Sequence, residues 1–372
     1  MIKLGKSLSN QRLRVLYVEE GLSNPAKNLL PLLKSHVTYY LVSAERDVNF
    51  AHQHSFEIST FPEPKFPVQR AWIMRKLVTK ILKNTRIDLV HSHSGTDFLL
   101  PTTVPVITHV HGSWFSDWIR SWGTSNILNK MRHLVGYLHY VVPESISIKK
   151  ATHIIAVSEQ VKRELIKLYG LRPERITVIY NAVPEYVYNL GRNKCKDDPP
   201  LLIYVGRLHP SKGIREFTSA FVREKQLNVD FIIIGDGPER PFLLSLASKD
   251  PRIHLLGGLQ HLEVLQWLER TNIFIFPTFY EGHSIALLEA MASGHACIVR
   301  NIPVMEEVLG WEAGILCNDV HTMVEALADL VSNPGKRFEL QMLAKQRASE
   351  FSWHKSARVL LELYQKVARG DL

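Results

Sequence analysis

Long hydrophobic runs are missing from this chain. No stretch of about 18 uninterrupted apolar residues occurs, so a membrane-spanning helix is not expected. The segment Met1–Gln11 lacks the apolar core of a signal peptide, so no export signal is expected either. Cysteine is scarce. Cys195, Cys297 and Cys317 are widely spaced and odd in number, which excludes a disulfide framework or a zinc pattern and points to a reducing, cytosolic location. A Gly-x-Gly-x-x-Gly turn is absent after the first apolar run. Glu19-Glu-Gly-Leu-Ser-Asn-Pro25 stands there instead, which argues against a dinucleotide-dependent dehydrogenase. No Asp-x-Asp pair of the metal-binding kind is found, and no recognisable nucleic-acid module.

What is present describes a globular α/β protein. The 372 residues suffice for two domains of roughly 150 residues each. The hydrophobic fraction of 45% and charged fraction of 22% are those of a chain with a packed core. A net charge of +9 favours anionic partners: nucleotides or phospholipid headgroups, with nucleic acid ranked last. Apolar runs alternate with helical patterns, as in parallel βαβ units. Strands are predicted at 14–18, 36–42, 87–92, 104–111, 152–157 and 176–180, and a second series at 201–205, 230–235, 253–257, 272–276 and 296–299. Helices are predicted at 339–351 and 356–369. The polar segment 191–200, ending in Pro199-Pro200, reads as a linker. The expected architecture is two doubly wound parallel-sheet domains, 1–190 and 201–353, facing a central cleft, with a C-terminal helix at about 354–372 packing back on the first.

The densest chemistry lies in Phe279-Tyr-Glu-Gly-His-Ser-Ile-Ala-Leu-Leu-Glu-Ala-Met-Ala-Ser-Gly294. It follows the apolar run 272–277, the place where open α/β sheets bind ligands. Glu281 and Glu289 bracket a helix start for which Ser284 is a suitable N-cap. Upstream, Gly206-Arg207 and Lys212-Gly213 follow another strand. Arginine can fork across two phosphate oxygens, and lysine adds a mobile point charge. Plain surface charge is the competing reading. Gly235-Asp-Gly237-Pro238 is a further glycine turn after a buried run.

Together these features resemble the retaining GT-B glycosyltransferases of family 4, in the glycosyltransferase group 1 superfamily. The resemblance rests on Gly206-Arg207, Lys212-Gly213, Gly235-x-Gly237-Pro238, Leu256-Gly257, and Glu281-x7-Glu289 followed by Ala-Met-Ala-Ser-Gly294. Val157-Ser-Glu159, Asn181-Ala-Val183 and Phe351-Ser-Trp353 are similar to family landmarks. The likeness is dense over 151–353 and thinner before. It implies a nucleoside-diphosphate sugar as donor, with no metal or other cofactor. Arg207 and Lys212 would neutralise the diphosphate. Glu289 would accept from the ribose hydroxyls and Glu281 would sit at the donor sugar. Gly206, Gly237 and the amides of Gly282, His283 and Ser284 would approach phosphate or sugar. Leu256, Gly257 and the residues to Leu259 would lie beside the base. In the first domain a histidine would reach the reaction centre: His111, with His109 as the register alternative. Many family members carry Gly-Gly after strand one where only Gly21 stands here, so the acceptor pocket differs in shape. Asn-Ala at 181–182 replaces the usual Asn-Gly, and His283 replaces an aromatic or small residue.

The resemblance implies transfer of a hexose or N-acetylhexosamine to a hydroxyl of a glycan, lipid-linked or small-molecule acceptor. A non-catalytic nucleotide-sugar-binding or partner subunit is the alternative, and a nucleotide-sugar epimerase a lesser one. Residues 65–86 form a basic amphipathic pattern with Trp72, Ile73, Leu77 and Ile81 at helical spacing. It fits either a helix covering its own sheet or one lying on an anionic membrane. Trp114, Trp118 and Trp122, with Arg120, Lys130 and Arg132, fit a membrane face or an acceptor site built by stacking. A peripheral position at the inner face of a membrane is thus compatible with the sequence.

Overall fold

The computed structural model describes residues 12–20, 22–61, 67–93, 99–101, 103–112, 137, 141–190 and 199–372, with 67 and 68 as backbone only. Two compact units result, one of residues 1–157, 161–179 and 354–372, the other of 158–160 and 180–353.

The first unit holds a parallel sheet of β1 (Leu13–Val18), β2 (Val37–Ala44), β3 (Glu57–Phe61), β4 (Leu89–His93), β5 (Val106–Val110), β6 (His153–Ala156) and β7 (Ile176–Val178). Their order is β3-β2-β1-β4-β5-β6-β7. The direction of winding reverses between β1 and β4, which pair with Tyr17 opposite His91. A helix, Pro67–Asn84, covers one face. Its Met74 and Val78 are buried with Leu16, Val18 and Val90, and Ile73, Leu77 and Ile81 pack against the same core. The stripe read as a possible membrane face is therefore mostly core-facing. Trp72 alone of the four is exposed, at 54%.

The second unit holds β8 (Leu201–Val205), β9 (Asp230–Ile234), β10 (Ile253–Gly257), β11 (Ile273–Phe276), β12 (Ala296–Arg300) and β13 (Ile315–Cys317). The order is β10-β9-β8-β11-β12-β13, all parallel, with the reversal between β8 and β11. The central strands are near-continuous apolar runs because helices cover both faces. Asn272 seals the start of β11: its side chain accepts from the Leu201 amide and donates to the Pro199 carbonyl.

Several expectations need correcting. β3 and β13 went unread. Both are edge strands, and edges need little burial. β3 is mostly half-buried, and β13 has three residues. The helix expected at 339–351 runs Pro334–Ala348, because the Asn333 side chain accepts from the Lys336 amide and starts it earlier. The last helix runs Trp353–Arg369. The helix Glu185–Leu190, placed by sequence with the first domain, counts with the second unit. Tyr188 donates to the Ala348 carbonyl there. The last helix belongs to the first unit, where the Tyr364 hydroxyl lies 2.6 Å from His91 Nδ1. Of the linker, 191–198 lie outside the described residues, as do Gly21 and the segment carrying Trp114, Trp118, Trp122, Arg120, Lys130 and Arg132.

Candidate active site

Parallel strands present their C-terminal ends on one edge, and the crevice at a winding reversal is open to ligands. In the second unit that point lies between β8 and β11. The loops leaving them are tied together. The Phe279 amide donates to the Ser211 carbonyl at 2.9 Å, and Thr278 Oγ1 to the same carbonyl at 3.4 Å. Gly213 makes this approach possible. Its φ is +64°, and a Cβ there would stand 2.2 Å from the Pro277 carbonyl oxygen. Gly235 lets the β8 and β9 loops meet in the same way. At φ +146° its Cβ would fall 1.9 Å from the Gly206 oxygen.

The closed loops bring Lys212 to Glu281. Lys212 Nζ lies 2.5 Å from Glu281 Oε1 and 3.4 Å from the Tyr280 carbonyl. The pair is largely enclosed, with side chains 11% and 17% exposed. Two charges held there need each other, since either alone is costly away from water. Arg207 is exposed on the loop after β8, its carbonyl accepting from Tyr204.

Ser284 caps the helix Ile285–Ala292, accepting from the Leu287 amide. The residues before it are held by Asn181, whose side chain donates to the His283 carbonyl at 3.0 Å. The His283 ring is buried against Tyr180 and Phe351. Burial lowers its pKa to about 3, so it is neutral. Glu289 is no solvated helix residue. It is 5% exposed, and its Oε1 lies 2.7 Å from Nε2 of His261. That hydrogen bond raises the His261 pKa, against a smaller opposing effect of burial. His261 begins the helix His261–Arg270, just beyond Leu256 and Gly257 at the end of β10. Sequence reasoning missed His261. Only its place at a helix start after the Leu256–Gln260 turn could have signalled it.

Ten of the expected residues thus share one edge of the second sheet: Gly206, Arg207, Lys212, Gly237, Gly257, Glu281, Gly282, His283, Ser284 and Glu289. Leu256, half-buried on β10, joins them. The arrangement offers two cations, two carboxylates and a helix N-terminus to a ligand rich in phosphate and hydroxyl groups.

His111 belongs to the first unit, exposed just beyond β5. It ends a group of four imidazoles on one face: His91 and His93 of β4, His109 and His111. His93 pairs with His109 across the strands. Burial, with the neighbouring His111 next, pushes His93 and His109 well below the ordinary histidine pKa. The donor atoms of His91, His93 and His109 lie within 4.8 Å of one another, and neither nitrogen of His109 has a hydrogen-bond partner among the described residues. These are ligand types that suit a transition metal. The three ring planes, however, lie within 24° of parallel, so their in-plane lone pairs do not converge. His93 already has a hydrogen-bond partner at each nitrogen. The geometry is that of a packed imidazole array.

Two doubly wound sheets, with the phosphate- and hydroxyl-matched edge on the second, define a GT-B protein. Residues 199–333 match the family described as Glycosyl transferases group 1, and 21–185 the one described as Glycosyltransferase Family 4. The chain is 30% identical over 285 residues to the UDP-Gal:alpha-D-GlcNAc-diphosphoundecaprenol alpha-1,3-galactosyltransferase of Escherichia coli, covering 68% of this chain and 69% of that one. It is 26% identical over 319 residues to a glycogen synthase of Mycobacterium tuberculosis, covering 80% and 73%. Among solved structures, sucrose-phosphate synthase from Thermosynechococcus elongatus shares the fold, with a TM-score of 0.73, 16% identity, and coverage of 96% and 100%. The chain belongs to the group 1 glycosyltransferases and has the GT-B fold.

Proposed function

We propose that this glycosyltransferase is retaining and metal-independent, and moves a hexose or N-acetylhexosamine from a nucleoside-diphosphate sugar to an acceptor hydroxyl. The observation that carries the reading is the Lys212–Glu281 pair at the reversal point of the second sheet, with a second buried carboxylate, Glu289, on the helix that follows the same loop. Lys212 and Arg207 supply positive charge for a diphosphate leaving group, whose negative charge grows in the transition state. Glu281, oriented by Lys212, accepts from sugar hydroxyls. Glu289, oriented by His261, accepts from the ribose. The amides of Gly282 to Ser284 meet sugar or phosphate, and Leu256, Gly257 and the residues to Leu259 flank the base. His111 supplies the first unit's contact with the reacting hydroxyl. Retention calls for leaving group and incoming hydroxyl on one face of the sugar, so His111 needs no covalent role.

The name of the Escherichia coli relative, with its UDP-sugar donor and diphospholipid acceptor, supports a lipid-linked acceptor as the first class to try. No helix among the described residues is long and apolar enough to cross a membrane. Peripheral binding to an anionic surface through the wet face of Pro67–Asn84 supplies access to such an acceptor.

The test is a thermal-shift screen of UDP- and GDP-sugars, followed by turnover with lipid-linked and free glycan acceptors. Stabilisation by a donor and its consumption with an acceptor support the reading. Binding without turnover across the acceptors favours a non-catalytic subunit. Isomerisation of the donor alone favours an epimerase. No binding, with silent Arg207, Lys212, Glu281 and Glu289 variants, overturns it.

A further inference from the structure

The first sheet buries polar side chains at its own reversal point, where a parallel sheet ordinarily holds aliphatic residues. Tyr17 stands on β1, Glu19 directly after it, His93 at the end of β4, and His111 after β5. The Tyr17 hydroxyl lies 2.6 Å from His93 Nε2, and His93 Nδ1 lies 2.8 Å from His111 Nε2. Tyr17 also donates to Glu19 Oε2 at 3.4 Å. Tyr17, Glu19 and His93 are all buried.

A neutral imidazole has one N–H and one lone pair. Two imidazoles and a hydroxyl in series therefore order in one sense or the other, never a mixture. An ionised carboxylate only accepts, so Glu19 Oε2 takes the Tyr17 hydrogen and sets the sense at that end; its Oε1 lies 3.6 Å from His93 Nδ1, beyond hydrogen-bond distance. His111 Nε2–H then donates to His93 Nδ1, His93 Nε2–H donates to the Tyr17 oxygen, and Tyr17 donates to Glu19. We propose that Tyr17, His93 and Glu19 are positioning residues that hold His111 as its Nε2–H tautomer and leave Nδ1 as the lone-pair nitrogen for a substrate hydroxyl. The proposal rests on the assignment of His111 to the reaction centre. It does not depend on which sugar or acceptor is used.

The surroundings suit this role. Burial keeps His93 neutral, as the chain requires. Around Glu19 stand Tyr17, His93, Ser23, whose amide donates to it, and Asp47, whose charge opposes its ionisation. Around His93 stand His91, His109 and His111, and Tyr364 closes the far side of His91. Burial raises the Glu19 pKa to about 7. Above that pH the carboxylate accepts and the sense holds. Below it a carboxyl proton can donate back, and the tautomer bias fades.

The test uses the full chain labelled with 15N-histidine, read by long-range 1H–15N correlation at pH 8. In the wild type, His111 Nδ1 is expected in the unprotonated range and Nε2 in the protonated range. Tyr17→Phe keeps the ring packing and removes only the hydroxyl. It should move both His111 shifts toward their mean and lower kcat about tenfold with little change in donor KM. His93→Asn should do the same. An Nδ1–H tautomer in the wild type, or a tautomer unchanged in folded Tyr17→Phe, overturns the proposal. The spectrum is read without turnover, so a failure to transfer sugar would count against the functional reading and leave this measurement intact.

Discussion

Lys212 and Glu281, 69 residues apart in sequence, share a 2.5 Å contact between Nζ and Oε1 at the point where the second sheet reverses its winding. Each holds the other in place. The cation proposed for a diphosphate and the carboxylate proposed for a sugar are therefore one unit.

Breaking that unit should cost both stability and binding. Lys212→Met and Glu281→Gln are each expected to lower the unfolding free energy by about 2 kcal/mol, below the ~3–5 of a fully buried pair because both side chains retain some solvent. In a double-mutant cycle by urea denaturation, the combined variant should lose less than the sum. Lys212→Met should also abolish the thermal shift caused by donor. Strict additivity would show that the contact is incidental.

Glu289 and His261 give a titration that can be read directly. The hydrogen bond raises the His261 pKa. Glu289→Gln should bring it down to the ordinary value of about 6.5 or lower, as followed by NMR. A raised folded-state pKa contributes stability below the unfolded value and loses it as pH rises through the folded value. The wild type should thus lose part of its margin over Glu289→Gln on passing from pH 6 to pH 8. Nucleotide affinity should fall about tenfold or more in the variant if Glu289 accepts from the ribose.

Glu19 predicts a pH dependence of its own. Burial raises its pKa from 4.5 to about 7, so between those values the folded state binds the proton more tightly than the unfolded chain. Its contribution is favourable below pH 4.5 and is lost as pH rises through 7. Glutamine at this position is neutral throughout. The melting temperature of Glu19→Gln relative to wild type should climb from pH 5 to pH 8 and then level off. A difference that does not change with pH would contradict the burial argument.

Trp72 and the cations beside it test the membrane proposal. Trp72, Arg75, Lys76, Lys80 and Lys83 are exposed on one helix whose apolar side is committed to the core. Binding to vesicles containing phosphatidylglycerol should weaken in Trp72→Ser and be nearly lost in Lys76→Glu/Lys80→Glu, with little change in melting temperature. It should also weaken with salt, because each cation near an anionic surface contributes about 1 kcal/mol that ions screen. Equal binding by all variants would remove this helix from consideration.

Much of this protein was determined locally and could be read from its sequence. The alternation of apolar runs with helical patterns identified the two doubly wound sheets, because burial under helices demands aliphatic strands. Ser284 fell where a cap was needed, since a cap acts within one turn. Gly213 and Gly235 could be read only as glycines of strand-end loops; the close approaches that exclude a side chain there belong to the structure. The edge strands β3 and β13 escaped notice, their weak burial leaving little pattern.

The pairings were decided only by tertiary structure. Strand order sets them, and strand order depends on how crossover helices pack, which no local window contains. It put Lys212 against Glu281 and Glu289 against His261. It turned Ile73, Leu77 and Ile81 inward while leaving Trp72 outside. It also joined Tyr17, His93 and His111, because β1 and β4 became neighbours at a reversal although 70 residues lie between the end of β1 at Val18 and the start of β4 at Leu89. The spacings His91-x-His93 and His109-x-His111 were visible throughout. That they face one another is a property of the sheet.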